Sequence, residues 1–163
     1  MKAHLQQIHN LLTSNEIQFK SLHHEVTPTS EDSARVRGED LSTGGKALVL
    51  KHGDDETNSS YALFVLSASR KLNTKANKKE IKSKNVRFAT SDELARLTSG
   101  LVPGAVPPFG RPIIDLDLYV DTSIEENSVI AFNSGSLTDS VVMSVADYLR
   151  VASPTKIFVF SKQ

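Results

Sequence analysis

Lys46-Ala47-Leu48-Val49-Leu50-Lys51 and Ser60-Tyr61-Ala62-Leu63-Phe64-Val65-Leu66 are two apolar runs of strand length, separated by His52-Gly53-Asp54-Asp55-Glu56-Thr57-Asn58. The separating residues are polar turn formers, so the pair predicts an antiparallel hairpin with a long loop. Upstream, Leu5, Ile8, Leu11 and Leu12 recur at helical spacing and predict an amphipathic helix over residues 3–13. A short strand follows between Gln18 and Glu25. Thr27-Pro28-Thr29-Ser30-Glu31-Asp32 then sets a hydroxyl cap before two acids, a helix start, and Gly38 supplies a cheap left-handed stop.

Downstream of the hairpin, residues 70–84 are lysine-rich and read as helical from about Lys75. Asn85 to Ala89 reads as a strand, and Ser91-Asp92-Glu93-Leu94 opens a helix that stops near Gly100. Residues 100–112 hold four of the six prolines and three of the eight glycines, which excludes regular structure because proline fixes φ and removes a donor. Ile114, Leu116, Leu118 and Val120 alternate with Asp115, Asp117 and Tyr119 and predict a strand over 113–120. Strands at 128–132 and 139–143, a helix at 144–151 and a last strand at 157–160 complete the pattern. Helices and strands do not follow a βαβ rhythm. The expectation is one α+β domain over 1–163, built on a mixed, largely antiparallel sheet.

The chain has 163 residues, enough to bury a sizeable core, with 39% hydrophobic and 23% charged residues. It contains no cysteine, so disulfides, thiolate metal ligation and a thiol nucleophile are excluded. The stretch Met1 to Gln7 lacks the apolar run of a signal peptide, and no segment reaches the ~20 apolar residues of a membrane-spanning helix. A cytoplasmic protein with no membrane partner is expected. Net charge is +0, which argues against a general nucleic-acid coat but says nothing about local patches. One patch stands out: Arg70, Lys71, Lys75, Lys78, Lys79, Lys82, Lys84 and Arg87 are opposed within their stretch by Glu80 alone. Such lysines suit either a solvated helix face or a grip on phosphates that reads no sequence.

Gly100-Leu101-Val102-Pro103-Gly104-Ala105-Val106-Pro107-Pro108-Phe109-Gly110 is either a corner between helix and strand or a rigid wall of backbone groups for a ligand. Gly44-Gly45-Lys46 is not a phosphate loop, because Asp40 holds the first glycine position and Ala47 follows the lysine. Lys46 opens a strand, as an edge charge or as a cation aimed into a cleft. His23 and His24 are adjacent and face opposite ways on a strand, His4 and His9 share no helix face, and Asp54-Asp55-Glu56 lacks calcium-loop spacing, so no metal site is expected. Ser134-Gly135-Ser136 is not a nucleophile elbow.

Taken in order, several of these segments resemble the YbaK/prolyl-tRNA-synthetase-associated (ProX-type) family of aminoacyl-tRNA editing domains. The resemblance runs through Thr29-Ser30-Glu31-Asp32-Ser33-Ala34-Arg35, Gly45-Lys46-Ala47-Leu48-Val49 and Arg70-Lys71-Leu72-Asn73. It continues through Arg87-Phe88-Ala89-Thr90-Ser91-Asp92-Glu93-Leu94, the Gly100-to-Gly110 loop, Phe132-Asn133-Ser134-Gly135-Ser136 and Ser144-Val145-Ala146-Asp147-Tyr148. It implies a curved mixed sheet surrounded by helices and a pocket that hydrolyses the ester between a wrong amino acid and the tRNA 3′ end, without metal or other cofactor. It implies Lys46 as the signature residue, and the chemistry expected with it has backbone groups around Gly104 and Gly135 orient the attacking water and stabilise an oxyanion. Thr29, Asp32, Pro107, Phe109, Gly110, Asn133 and Ser136 are the implied substrate-binding residues. Arg70, Lys71, Lys75, Lys78, Lys79 and Lys82 are expected along the tRNA backbone. The expected partners are a mischarged aminoacyl-tRNA and prolyl-tRNA synthetase, not DNA. Alanyl, cysteinyl or seryl groups on tRNA(Pro), edited in trans, are the expected substrates. Some members carry a histidine after the late strand where this chain runs Asn133-Ser134-Gly135-Ser136-Leu137-Thr138, which leaves the amino acid open. The other reading is a non-catalytic module of the same fold that binds tRNA or a synthetase.

Overall fold

The hairpin forms as expected and becomes the centre of the molecule. In the computed structural model, which describes residues 3–163, β2 (Gly45–Gly53) and β3 (Ser59–Ser67) pair antiparallel from Gly45 opposite Ser67 to Gly53 opposite Ser59. The run Ala62-Leu63-Phe64-Val65-Leu66 is buried on both faces. Leu63 and Val65 enter the main core, while Ala62, Phe64 and Leu66 enter a second cluster with Leu50, Phe158 and Phe160. A strand sandwiched in this way reads as continuously apolar rather than alternating. Each fully buried side chain of this size contributes about 1.5–3 kcal/mol of transfer free energy, so β3 anchors the fold.

Three further strands complete this sheet: β5 (Asn85–Phe88), β6 (Asp117–Asp121) and β9 (Lys156–Phe158). The order is β5-β2-β3-β6-β9, with the β3–β6 and β6–β9 ladders parallel and the others antiparallel. A second, antiparallel sheet runs β1 (Phe19–His23), β8 (Asp139–Ser144), β7 (Val129–Asn133). β4 (Lys71–Leu72) pairs with β10 (Ser161–Lys162) at the chain's end. A parallel bridge between Gly44 and Ala131 ties the two larger sheets together just before Lys46. The fold is the expected mixed α+β architecture.

Helices α1 (Ala3–Ser14), α2 (Ser30–Arg37), α3 (Thr74–Ile81), α4 (Ser91–Thr98), α5 (Thr122–Glu125) and α6 (Val145–Ala152) surround the sheets. Their ends follow from capping chemistry. Thr29 accepts from the Asp32 amide, Gly38 stops α2 at φ 69°, and Thr90 with Glu93 forms a reciprocal capping box for α4. Among the described residues no helix is long and apolar enough to cross a membrane. Met1 and Lys2, part of the N-terminal stretch read for a signal peptide, lie outside the described residues.

One strand begins later than the alternation suggests. Ile114 and Leu116 are buried as expected, but from turns, and β6 starts at Asp117. The Gly110 carbonyl accepts from both Ile113 and Ile114 amides, and Arg111 bridges Asp115 and Asp117, so the segment curls before it extends. The strand expected at 157–160 ends early: β9 runs Lys156–Phe158, and Phe160 lies beyond it in the second apolar cluster.

The hairpin loop closes tightly at Gly53. A methyl there would lie 2.2 Å from the Asn58 carbonyl oxygen, at a φ of 152°. Gly53→Ala is therefore expected to destabilise the fold by roughly 1–3 kcal/mol, read as a lower denaturation midpoint at unchanged slope.

Candidate active site

A cleft of about 180 Å³ opens where α2, the start of β2 and the glycine-proline loop meet. Its walls include Thr27, Ser33, Arg37, Lys46, Gly104 and Asn133. Gly44 and Gly45 form its base because nothing larger fits. A Cβ at Gly44 would meet the Ala68 Cβ at 2.9 Å, and one at Gly45 would meet the Ile130 Cδ1 at 2.6 Å. The glycine pair is thus a packing requirement at the sheet junction, and it leaves Lys46 at the first wide position of the wall.

Lys46 stands opposite Leu66 on β2 and is partly buried. Burial pushes its pKa below the ordinary lysine value; Glu31 opposes the shift and Lys71 adds to it. The Lys71 effect places the start of the basic segment close enough to the cleft for its field to be felt there. Lysine at this strand start is a cleft cation rather than an edge charge.

Arg37, the last residue of α2, lies deeper. Its Nε donates to Ser140 Oγ at 2.9 Å and its Nη2 to Asn133 Oδ1 at 2.9 Å. Burial pushes its pKa down to about 10, against the opposing field of Glu39. Asn133 then donates through Nδ2 to the Gly104 carbonyl at 2.7 Å, which pins the glycine-proline loop to the cleft. Gly104 holds φ 88°, a conformation that suits glycine.

Of the residues expected at the site, Thr29, Lys46, Gly104 and Asn133 line this cleft, and the others do not. Phe109 is buried, edge-on to Phe132 and Tyr148 at 5.5 and 5.4 Å, and Tyr148 donates to the Pro108 carbonyl at 2.6 Å. Pro107 is buried in the same loop arm, and a Cβ at Gly110 would meet the Leu116 carbonyl oxygen at 2.5 Å. The first half of the loop forms the wall, and the second half anchors it to the core. Gly135 gives its amide proton to the Ala105 carbonyl at 3.0 Å, so it has none to offer an oxyanion. Ser136 donates to Asp139, and Asp32 accepts from Thr29 within the helix cap.

Pattern reasoning missed Thr27, Ser33 and Arg37. Ser30, Ser33 and Arg37 recur at i, i+3 and i+7, so the polar stripe of α2 carried the signal. The adjacent histidines diverge as expected: His23 meets Asp139 at 2.8 Å and His24 meets Ser140 Oγ at 2.7 Å.

The basic segment is exposed at Lys71, Lys75, Lys79 and Lys82, partly so at Lys78. Among the described residues none of these five pairs with a carboxylate, whereas Glu80 pairs with Lys156. Arg70 is tied to Ser161 Oγ at 2.7 Å, and Arg87 is neutralised by Glu56 and Glu93, so the free cations begin at Lys71. A second hollow, of about 380 Å³, lies beside Lys51, His52 and Arg87. Its cations already hold Glu56 at 2.6 and 2.9 Å, which leaves it no comparable charge to offer a ligand.

The sequence pattern described as the aminoacyl-tRNA editing domain matches residues 24–151, a span that contains every cleft residue named above. The chain belongs to that family. The Multifunctional Ser/Thr-tRNA deacylase ProXp-y of Escherichia coli (strain K12) is 35% identical over 146 residues, covering 88% of this chain and 85% of that protein. Among solved structures, a candidate trans-editing enzyme for prolyl tRNA synthetase superposes with a TM-score of 0.80 at 17% identity, covering 100% of this chain and 99% of the other. The hypothetical protein APE2540 matches with a TM-score of 0.80 at 19% identity, over 96% of this chain and 99% of its own. At such identities these two structures speak for the fold alone, and it is the fold of the editing family.

Proposed function

We propose that this chain is a trans-acting aminoacyl-tRNA deacylase that clears a wrong small amino acid, seryl or threonyl foremost, from the 3′ end of tRNA. The supporting observation is the cleft itself, which in an editing-family chain carries Lys46 and Arg37 with no ion-paired carboxylate among the described residues. Lys46 suits the phosphate, carbonyl and developing oxyanion of an aminoacyl ester, and Arg37 adds a second cation with little anionic compensation to the same cleft. The cleft volume suits a small amino acid and is well below the ~300–1,000 Å³ of pockets that enclose larger ligands.

In this reading Lys46 holds the terminal phosphate or ribose and fixes the ester. Backbone groups at the pinned Gly104 orient the attacking water. Water adds to the ester carbonyl, the tRNA 3′ oxygen leaves with a proton, and the free amino acid departs. An aminoacyl ester is already activated, so positioning and electrostatics suffice without a strong general base. The test is incubation with Ser-, Thr-, Ala- and Cys-charged tRNA beside Pro-tRNA(Pro). Release of seryl or threonyl groups with prolyl spared is expected; a chain that binds all five and releases none is a binding module instead.

The lysines from Lys71 through Lys82 are proposed to track the tRNA backbone leading away from the cleft. Affinity for tRNA should then fall linearly with log salt. Neutralising Lys75, Lys78, Lys79 and Lys82 together should flatten that slope by roughly 3, measured by filter binding across a salt series. An unchanged slope would remove the segment from the interface.

A further inference from the structure

We propose that Arg37 recognises the side-chain hydroxyl of a seryl or threonyl group, donating from Nη1 to its Oγ at the floor of the cleft. The proposal rests on the deacylase reading above and names the residue that sets its amino-acid choice.

Arg37 is only 9% exposed, yet it lines the cleft. Burying a guanidinium is costly unless its donors are met, and burial here lowers its pKa. Nε and Nη2 are satisfied by two neutral oxygens, Ser140 Oγ and Asn133 Oδ1. Those partners are themselves fixed, Ser140 by His24 Nε2 at 2.7 Å and Asn133 by the Gly104 carbonyl at 2.7 Å. The plane of the guanidinium is therefore set before any ligand arrives. Among the described residues no carboxylate pairs with Arg37, and Nη1 makes no hydrogen bond. Nη1 faces Gly44, lying 3.8 Å from where a Cβ on that residue would stand. Gly44 itself places no side chain over this corner.

Nε and one Nη2 proton are engaged, which leaves Nη1, at the Gly44 corner, as the guanidinium nitrogen with no partner among the described residues. A single hydroxyl oxygen needs one donor. Ser33 Oγ donates to Thr27 Oγ1 and Thr27 Oγ1 to the Leu137 carbonyl, so neither of these two hydroxyls has a proton left to give a ligand. An alanyl group in the same place would leave Nη1 buried against a methyl, and a site built to bond a hydroxyl discriminates strongly against the analogue that lacks it.

The experiment compares single-turnover release from one tRNA charged chemically with serine, alanine, threonine or 2-aminobutyrate. Wild-type protein should favour serine over alanine, and threonine over 2-aminobutyrate, by about 100-fold or more. In Arg37→Met both ratios should collapse to within about threefold, and Arg37→Lys, which keeps the charge but loses the fixed corner, should collapse them too. Equal wild-type rates for serine and alanine would overturn the proposal, and that arm needs no variant to fold. Uniform slowing of all four substrates in Arg37→Met would also overturn it, placing Arg37 on the shared ester. Release of none of the four by wild type would instead sink the deacylase reading beneath it.

Discussion

Lys46→Ala should fold like the wild-type chain and lose deacylation by about 100- to 1,000-fold, a loss of roughly 3–4 kcal/mol of transition-state stabilisation. Lys46 ion-pairs with no carboxylate among the described residues, and burial already disfavours its charge, so its removal should not unfold the protein. Thermal unfolding of the variant should occur at or above the wild-type midpoint. Lys46→Arg should fail as well, because a planar fork cannot occupy the position of a compact ammonium between Gly45 and Ala47 on the cleft wall. The informative quantity is the single-turnover rate at saturating enzyme, which separates chemistry from tRNA binding. A Lys46→Ala rate within a few fold of wild type would remove this residue from the mechanism.

Asp121→Ala should cost about 3–5 kcal/mol of stability, because the side chain satisfies three buried donors at once. Asp121 is fully buried and receives the Phe160 amide at 2.6 Å, the Ser161 hydroxyl at 2.7 Å and the Ser123 amide at 2.9 Å. It thereby caps α5 and clamps the C-terminal strand, whose Ser161 also receives Arg70. Burial pushes its carboxyl pKa up, but the hydrogen bonds together outweigh this and hold it below the ordinary value. The unfolded state then binds more protons in acid, so this contribution is complete above the unfolded pKa of about 3.9. It is lost as pH falls through the lower folded value. Asp121→Ala should flatten that acid limb of the stability profile as well as lowering the plateau, both visible in denaturant titrations from pH 2 to 7. A variant as stable as wild type would show that the clamp contributes little.

The fold was largely legible because its determinants are local. The apolar run at 61–66, the caps at Thr29 and Thr90, and the stop at Gly38 each act within a few residues of themselves. Lys46 was legible as a strand-opening lysine that could be an edge charge or a cleft cation, and the resemblance to the editing family singled it out. The rest of the site was not, because it is made by contacts distant in sequence. Arg37 meets Asn133 and Ser140 across 96 and 103 residues, and nothing near position 37 foretells those partners. The composition of the glycine-proline loop left a chain corner and a ligand wall both open, and the loop serves as both: Gly104 and Val106 reach the cleft, while Phe109 and Gly110 serve packing. The alternation at 113–120 marked which residues are buried, not the backbone that buries them, since a turn held by the Gly110 carbonyl presents Ile114 to the same core.

The cleft's role is tested most directly by following backbone amide resonances while a non-hydrolysable, amide-linked 3′-seryl-adenosine is added. Saturable shifts at Thr29, Gly44, Gly45, Lys46 and Gly104, with the His52–Arg87 hollow undisturbed, are the expected result. Shifts confined to that second hollow, or none at millimolar analogue, would contradict the assignment of this cleft as the aminoacyl site.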